Sequence, residues 1–194
     1  MREMLRLFIV ILLFSCVSGG LLAVVRSGTQ ERIEYQQLKF VKGPTIKEIM
    51  EGCSNDPLSD RFKIMDGDTE RSFFVGEFDG KRNVVAFEAF GKGFGGDIGV
   101  IVAVNLETDE ILGIGVTTHS ETPGLGSRAK SEPDLSSQFK GLSLKEPFKV
   151  TADGGKIDAI SGATITSRGV CSAVATSANI YDRLKKEILK KVKV

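Results

Sequence analysis

Residues 7–25 read LFIVILLFSCVSGGLLAVV, nineteen consecutive positions without a charge, with Arg2 and Arg6 before them and Arg26 after. At about 1.5 Å of rise per residue, a helix of that length spans roughly 28 Å, close to the hydrocarbon thickness of a bilayer. A cleavable signal peptide has an apolar core of about 7 to 15 residues followed by small residues at a cut site. Here the run is longer and ends at VVRSG, which predicts an uncleaved transmembrane anchor. The tetrapeptide LFSC at 13–16 has the outline of a lipid-attachment box ending at Cys16. Phe14 is bulky where such sites are small, however, and apolar or small residues continue past the cysteine. Charge does not orient the helix, because Arg26, Arg32 and Lys39 on one side balance Arg2 and Arg6 on the other, and large domains translocate with little regard to charge.

The anchor leaves enough chain for one domain with a real core. Lys and Arg total 26 against 25 Asp and Glu, a net charge of +1 with no block of five like charges, which excludes a nucleic-acid partner bound by phosphate neutralisation. The single histidine and the widely spaced Cys16, Cys53 and Cys171 exclude a His-based triad, a CxxC-type zinc site and a cysteine-ligated cluster. Cys53 and Cys171 are the one pair left for a disulfide, and their spacing gives no geometric support for it. With so few catalytic side chains, any chemistry belongs to a cofactor.

The chain divides into a tail and anchor at 1–26, a linker with short helices at 27–60 and a folded domain at 61–194. TQERIEYQQLKF and TIKEIMEG read as short amphipathic helices, the second starting at a Thr45 cap and stopping at Gly52. FKIMD, RSFFVGEFD, NVVAFEAF, IGVIVAVNL and EILGIGVTT then read as strands joined by short turns such as DGKR and ETDE, hence as antiparallel hairpins. SEPDLSSQF predicts a helix capped by Ser131, and FKVTADGGKIDAI predicts a further strand with a turn at Asp153-Gly154-Gly155. Val170, Val174, Ser177, Tyr181, Leu184 and Ile188 recur at helical spacing. The fold class is α+β: an antiparallel sheet with packed helices, preceded by a single transmembrane helix.

Four segments invite a chemical reading. GKGFGG at 91–96 matches the GxGxxG dinucleotide fingerprint, but the apolar, β-branched DIGVIVAVNL that follows is a strand and not the helix a pyrophosphate needs. It reads as a glycine-rich hairpin loop that either shapes a pocket or offers a docking edge. DGDTERSFFVGE starts like a calcium loop yet carries Arg71 where an EF-hand requires glycine. THSETPGLGSR, with the lone His119, Glu121, Thr122, a Pro-Gly turn and Leu125, suits a ligand-binding loop. SGATITS at 161–167 lies between a strand candidate and the C-terminal helix, where Thr166 or Ser167 can serve as cap. A helix start presents N–H groups without intrahelical partners and the positive end of the macrodipole, so the segment reads either as an over-provisioned cap or as a phosphate seat.

DAISGAT (158–164) also matches the flavinylation motif Asp-x-x-Ser/Thr-Gly-Ala-Thr/Ser of FMN-binding domains, whose last hydroxyl residue carries FMN in a phosphoester. Together with GKGFGGDI, HSETPGLG and the N-terminal membrane helix, the whole chain resembles the G subunits of the Rnf ion-translocating electron-transfer complexes. The C subunits of the sodium-pumping NADH:quinone oxidoreductases are similar but generally longer. The resemblance implies covalent FMN on Thr164, with Asp158, Ser161, Gly162 and Ala163 at the other motif positions. It further implies that His119, Glu121, Thr122, Leu125 and Gly126 meet the flavin ring. No residue of the chain is then a catalyst and none a metal ligand. The implied setting is the cytoplasmic membrane with the domain on its outer side, other subunits of the complex as partners, and a flavin transferase that attaches FMN from FAD. The implied role is an electron relay between ferredoxin and NAD while sodium ions or protons cross the bilayer, with no complete activity in the isolated chain. A flavin-bearing protein with a regulatory or assembly role is the competing reading.

Overall fold

The computed structural model describes residues 2–192 and divides into two units, Met1–Phe40 and Val41–Val194. The first is helix α1 (Arg2–Gln37) with the start of a π-helical turn, Leu38–Lys42. Its stretch Arg2–Gln30 is long and apolar enough to cross a membrane, and Leu7, Phe8, Leu12, Phe14, Val17, Leu21 and Leu22 all stand exposed on it. Such a helix, apolar all round, has no polar face to turn to water. The separate amphipathic helix expected at 29–40 is instead a continuation of α1 to Gln37. No glycine or proline stands between Gly28 and Gly43 to stop it earlier, and Thr29 turns its hydroxyl back onto the Val25 carbonyl at 2.8 Å.

In the second unit, helix α2 (Gly43–Ile49) precedes a five-stranded sheet: β1 (Arg61–Asp66), β2 (Thr69–Phe78), β3 (Lys81–Lys92), β4 (Asp97–Asn105) and β5 (Ile111–Thr118). The strands pair in chain order, every pair antiparallel, as the short turns required. Two short helices follow, α3 (Arg128–Ser131) and α4 (Pro133–Ser137), and then the long α5 (Thr164–Val192).

One sheet face is covered by α5. Alternate residues Phe73, Val75, Val85, Phe87, Val100, Val102, Ile114 and Val116 point into the same core as Val170, Val174, Tyr181, Leu184 and Ile188 of the helix. At about 25 cal/mol per Å², fully burying each such side chain stabilises the fold by roughly 1.5–3 kcal/mol before entropy is counted. The opposite face is covered by α2, where Ile46 and Met50 are fully buried. Gly113 and Gly115 of β5 clear the space for it: a Cβ at Gly115 would strike the Thr45 methyl group, and one at Gly113 would lie 3.4 Å from Ile49 Cβ. With both faces covered, the central strands are buried along most of their length, which is why NVVAFEAF and IGVIVAVNL read as apolar runs more than as alternations.

Three local expectations change. Thr45 does not cap α2; Gly43 and Pro44 open it, and the Thr45 hydroxyl reaches back to Val41 O. The helix expected from Ser131 is split, because Glu132 precedes a proline and is therefore extended, at φ −115° and ψ 127°. Ser131 closes α3, and Pro133 opens α4. The expected strand at 148–160 contributes only one isolated parallel bridge, Val150 to Ile157, around a 3-10 turn at Thr151–Asp153. Val150 O accepts from Asp153 N and Gly155 N, and Thr151 N donates to Ile157 O, so the chain satisfies its own backbone by doubling back and offers no ladder to a neighbour.

Candidate functional site

Residues 160–163 form a tight turn closed by Ala163 N–H donating to Ile160 O at 2.9 Å, with Gly162 at φ +79°. That left-handed position at the third residue is the one a type II turn reserves for glycine. Ser161 and Gly162 are exposed, Ala163 is buried, and Thr164 is half-buried as the first residue of α5. Ser167 pins the turn from inside the helix. Its hydroxyl accepts from Ile160 N–H at 3.0 Å and donates to Ala163 O at 3.1 Å. Thr166 donates its hydroxyl to Glu121 Oε2. Neither residue is the cap the sequence suggested; both lie within α5, Ser167 bonded to the turn that precedes the helix and Thr166 to Glu121.

The loop after β5 folds against this turn. Thr122 O accepts from Leu125 N and Ser127 N, each at 3.2 Å, and Gly124 N donates to Ser127 Oγ at 2.9 Å. Thr122 is exposed, as is Leu125, whose Cδ2 lies 3.6 Å from where a Cβ of Gly162 would stand. His119 is half-buried, its Nδ1 accepting from Glu121 N–H at 3.3 Å. Gly126 is buried against Thr166 and Glu121, and the Glu121 carboxylate is itself buried. Asp158 is held through its backbone, donating N–H to Gln138 Oε1 at 2.6 Å and accepting from Gln138 Nε2 at 3.2 Å.

The glycine-rich segment is the β3–β4 hairpin tip: Lys92 faces Asp97, and Gly93 N donates to Gly96 O at 2.8 Å. Gly95 N–H donates to Glu121 Oε1 at 2.8 Å, so the hairpin, the 119–127 loop and the start of α5 meet at one carboxylate.

Two cations flank the 160–164 turn. Arg128 Nη1 lies 3.4 Å from Ser161 O while pairing with Glu132 at 2.8 Å. Arg168, one helical turn beyond Thr164, grips Asp153 through two bonds of 2.7 Å and holds that carboxyl below the usual carboxylate range. The Cys171 thiol is a poor nucleophile, since burial pushes it up to about 11, and all three cysteines are free. Sequence reasoning missed Gln138, Arg128 and the bond between Thr166 and Glu121. Only the small pair Gly169 and Ala173 on the helix hinted at the close approach of α5 to the hairpin.

A donor set of this kind suits an anionic group on Thr164: a hydroxyl on a helix start, an uncrowded glycine beside it, and N–H groups of the first turn without intrahelical partners. Residues 93–179 match the FMN-binding domain family. The G subunit of the ion-translocating oxidoreductase complex of Cereibacter sphaeroides is 35% identical over 184 residues, covering 91% of this chain and 84% of that one. Its counterpart in Pseudomonas aeruginosa is 32% identical over 201 residues, covering 97% and 93%. Among solved structures, the C subunit of the Na(+)-translocating NADH-quinone reductase from Parabacteroides distasonis superposes with a TM-score of 0.57 at 22% identity, over 78% of this chain and 95% of that one. That likeness shows the fold.

Proposed function

Because this chain belongs to the family of G subunits of ion-translocating oxidoreductase complexes, we propose that it is the membrane-anchored electron-transfer component of such a complex. In this reading FMN is joined through its phosphate to Thr164 Oγ1. The observation that carries it is the position of Thr164: half-buried, first in α5, directly after a turn whose Ser161 and Gly162 are open to an approaching enzyme. Attachment forms one O–P bond at Thr164 Oγ1 and breaks the pyrophosphate bond of FAD, the hydroxyl proton and AMP leaving; a separate flavin transferase supplies the catalysis.

When bound, the flavin supplies the redox chemistry, and the protein supplies position and electrostatics. The first turn of α5 offers its N–H groups to the phosphate, and Arg128 and Arg168 lower the cost of placing a negative charge there. Leu125 offers an apolar contact, and Thr122 an exposed hydroxyl, to the ring. Asp158, with its backbone fixed by Gln138, stands exposed as part of the surface the transferase reads. A covalent tether keeps a cofactor outside the cytoplasm from being lost to bulk, at an effective concentration of order millimolar. The reading places the Val41–Val194 unit on the extracytoplasmic side, α1 in the bilayer, and the other subunits of the complex as electron donor and acceptor.

Produced together with a flavin transferase, the wild-type chain should give an ultraviolet-fluorescent band on a denaturing gel, and Thr164→Val should give none while keeping its far-ultraviolet dichroism. Fluorescence retained by Thr164→Val would refute the assignment. Ferredoxin-driven NAD reduction in membranes carrying Thr164→Val should be lost, and unimpaired reduction would leave the chain only a regulatory role.

A further inference from the structure

Glu121 is only 6% exposed, and among the described residues no basic side chain pairs with it. A carboxylate removed from water without a cation is costly unless hydrogen bonds replace its hydration. Here each oxygen has one: Oε1 accepts from Gly95 N–H at 2.8 Å, and Oε2 accepts from the Thr166 hydroxyl. The two donors belong to segments far apart in the chain, the tip of the β3–β4 hairpin and the first turn of α5. A third segment carries Glu121 itself, bent back by its N–H on His119 Nδ1. The surroundings are shaped to hold it: a Cβ at Gly93 would lie 2.5 Å from Oε1, and one at Gly126 would lie 2.7 Å from Oε2.

Each of the three segments also presents one large apolar side chain to the outside: Phe94 on the hairpin (72% exposed), Leu125 on the loop (49%) and Ile165 next to Thr164 (47%). Their relative positions depend on whatever ties the segments together, and Glu121 is the side chain bonded to two of them from the third.

We infer that Glu121 is the positioning residue of the flavin site: its carboxylate joins hairpin, loop and helix start into one frame that fixes Phe94, Leu125 and Ile165 relative to Thr164, without touching the flavin. This rests on the assignment of FMN to Thr164. Both carboxylate oxygens are already engaged inside the protein, which assigns Glu121 a role apart from that of the exposed ring-contact candidates Thr122 and Leu125.

The test uses the full chain in detergent, with Glu121→Ala, Glu121→Gln and Thr166→Val beside the wild type. In unflavinylated protein, amide exchange of residues 91–96 should accelerate about tenfold or more in Glu121→Ala. It should return toward the wild-type rate in Glu121→Gln, whose side-chain carbonyl still accepts from Gly95 while its amide group meets Thr166. In flavinylated protein, Glu121→Ala should keep covalent flavin but lose the visible circular dichroism that a fixed isoalloxazine shows, and Glu121→Gln should restore it. Should Glu121→Ala fail to fold, Thr166→Val decides: it removes one donor without a change in shape, and the same loss of dichroism is expected with an unchanged far-ultraviolet spectrum. Wild-type exchange and dichroism in Glu121→Ala, Gln as damaging as Ala, or an unaltered Thr166→Val would each overturn the inference. A wild type without covalent flavin would strike the Thr164 assignment instead, and the exchange measurement would then judge the frame alone.

Discussion

Gly91 is where β3 meets the first turns of α5, and a Cβ there would run into the Gly169 carbonyl oxygen and lie 2.6 Å from Ala173 N. Both obstacles are backbone, so neither can rotate away. Gly91→Ala should therefore lower stability by about 1–3 kcal/mol, the usual cost of overpacking, as a shift of the urea midpoint at constant slope. An unchanged midpoint would show that the helix shifts freely on the sheet. The sequence left GKGFGG with two open roles, a pocket wall or a docking edge. The contact partners of Gly91, Gly93 and Gly95 are α5, Glu121 and the Ser120 carbonyl, and they make the segment a packing surface of the site. Thr166 shows the same limit, since a hydroxyl in the first turn of a helix reads locally as a cap and only its distant partner, Glu121, reveals another use.

Among the elements, α5 was the most legible. Val170, Val174, Ser177, Tyr181, Leu184 and Ile188 recur at helical spacing, and all six are buried. Besides the burial of Tyr181, Leu184 and Ile188, the far half of that helix also meets the β1–β2 hairpin through charge: Asp66 bonds Arg183 at 2.8 Å and Arg71 at 2.8 Å. The Arg183 guanidinium, then that of Arg71, holds the Asp66 carboxyl below its ordinary value. A carboxyl lowered in the folded state stabilises above its unfolded pKa, and that contribution disappears as pH falls through the folded value. The wild type should accordingly lose stability from roughly pH 5 downward, and Asp66→Asn should be weaker at neutral pH with a shallower acid slope, measured as urea midpoints against pH. Equal slopes would remove Asp66 from the acid response. The elements that sequence reading misplaced were short ones. A proline imposed extended backbone on Glu132 and divided one expected helix, and the 148–160 segment closed on itself in place of joining the sheet.

For the whole molecule, the boundary of the folded unit lies at Val41, ahead of the boundary at 61 drawn from the sequence. Residues 41–60 read as linker because α2 is only seven residues long and the turn-rich GCSNDPLSD follows it. Ile46 and Met50 nevertheless are fully buried on the sheet face that α5 does not cover. We expect a chain starting at residue 41 to unfold in a single cooperative transition and to accept flavin. A chain starting at 61 should be less stable by several kcal/mol, since truncating each fully buried side chain costs about 2–5 kcal/mol. Equal midpoints for the two would make α2 dispensable.

By itself the sequence determined a helix long and apolar enough to cross a membrane, the order and pairing of the five strands and the amphipathic face of α5, whereas Thr164 was singled out by the resemblance of DAISGAT to a known motif. The first three are written in unbroken apolar length, periods of two and 3.6, and short turns, all of which act over a few neighbouring residues. Only the tertiary structure decided that the sheet is covered on both faces, that Thr166 serves Glu121 across 45 positions of chain, and that Gly91 exists for α5. Such contacts form between residues that share no local pattern, so nothing short of the folded chain brings them together.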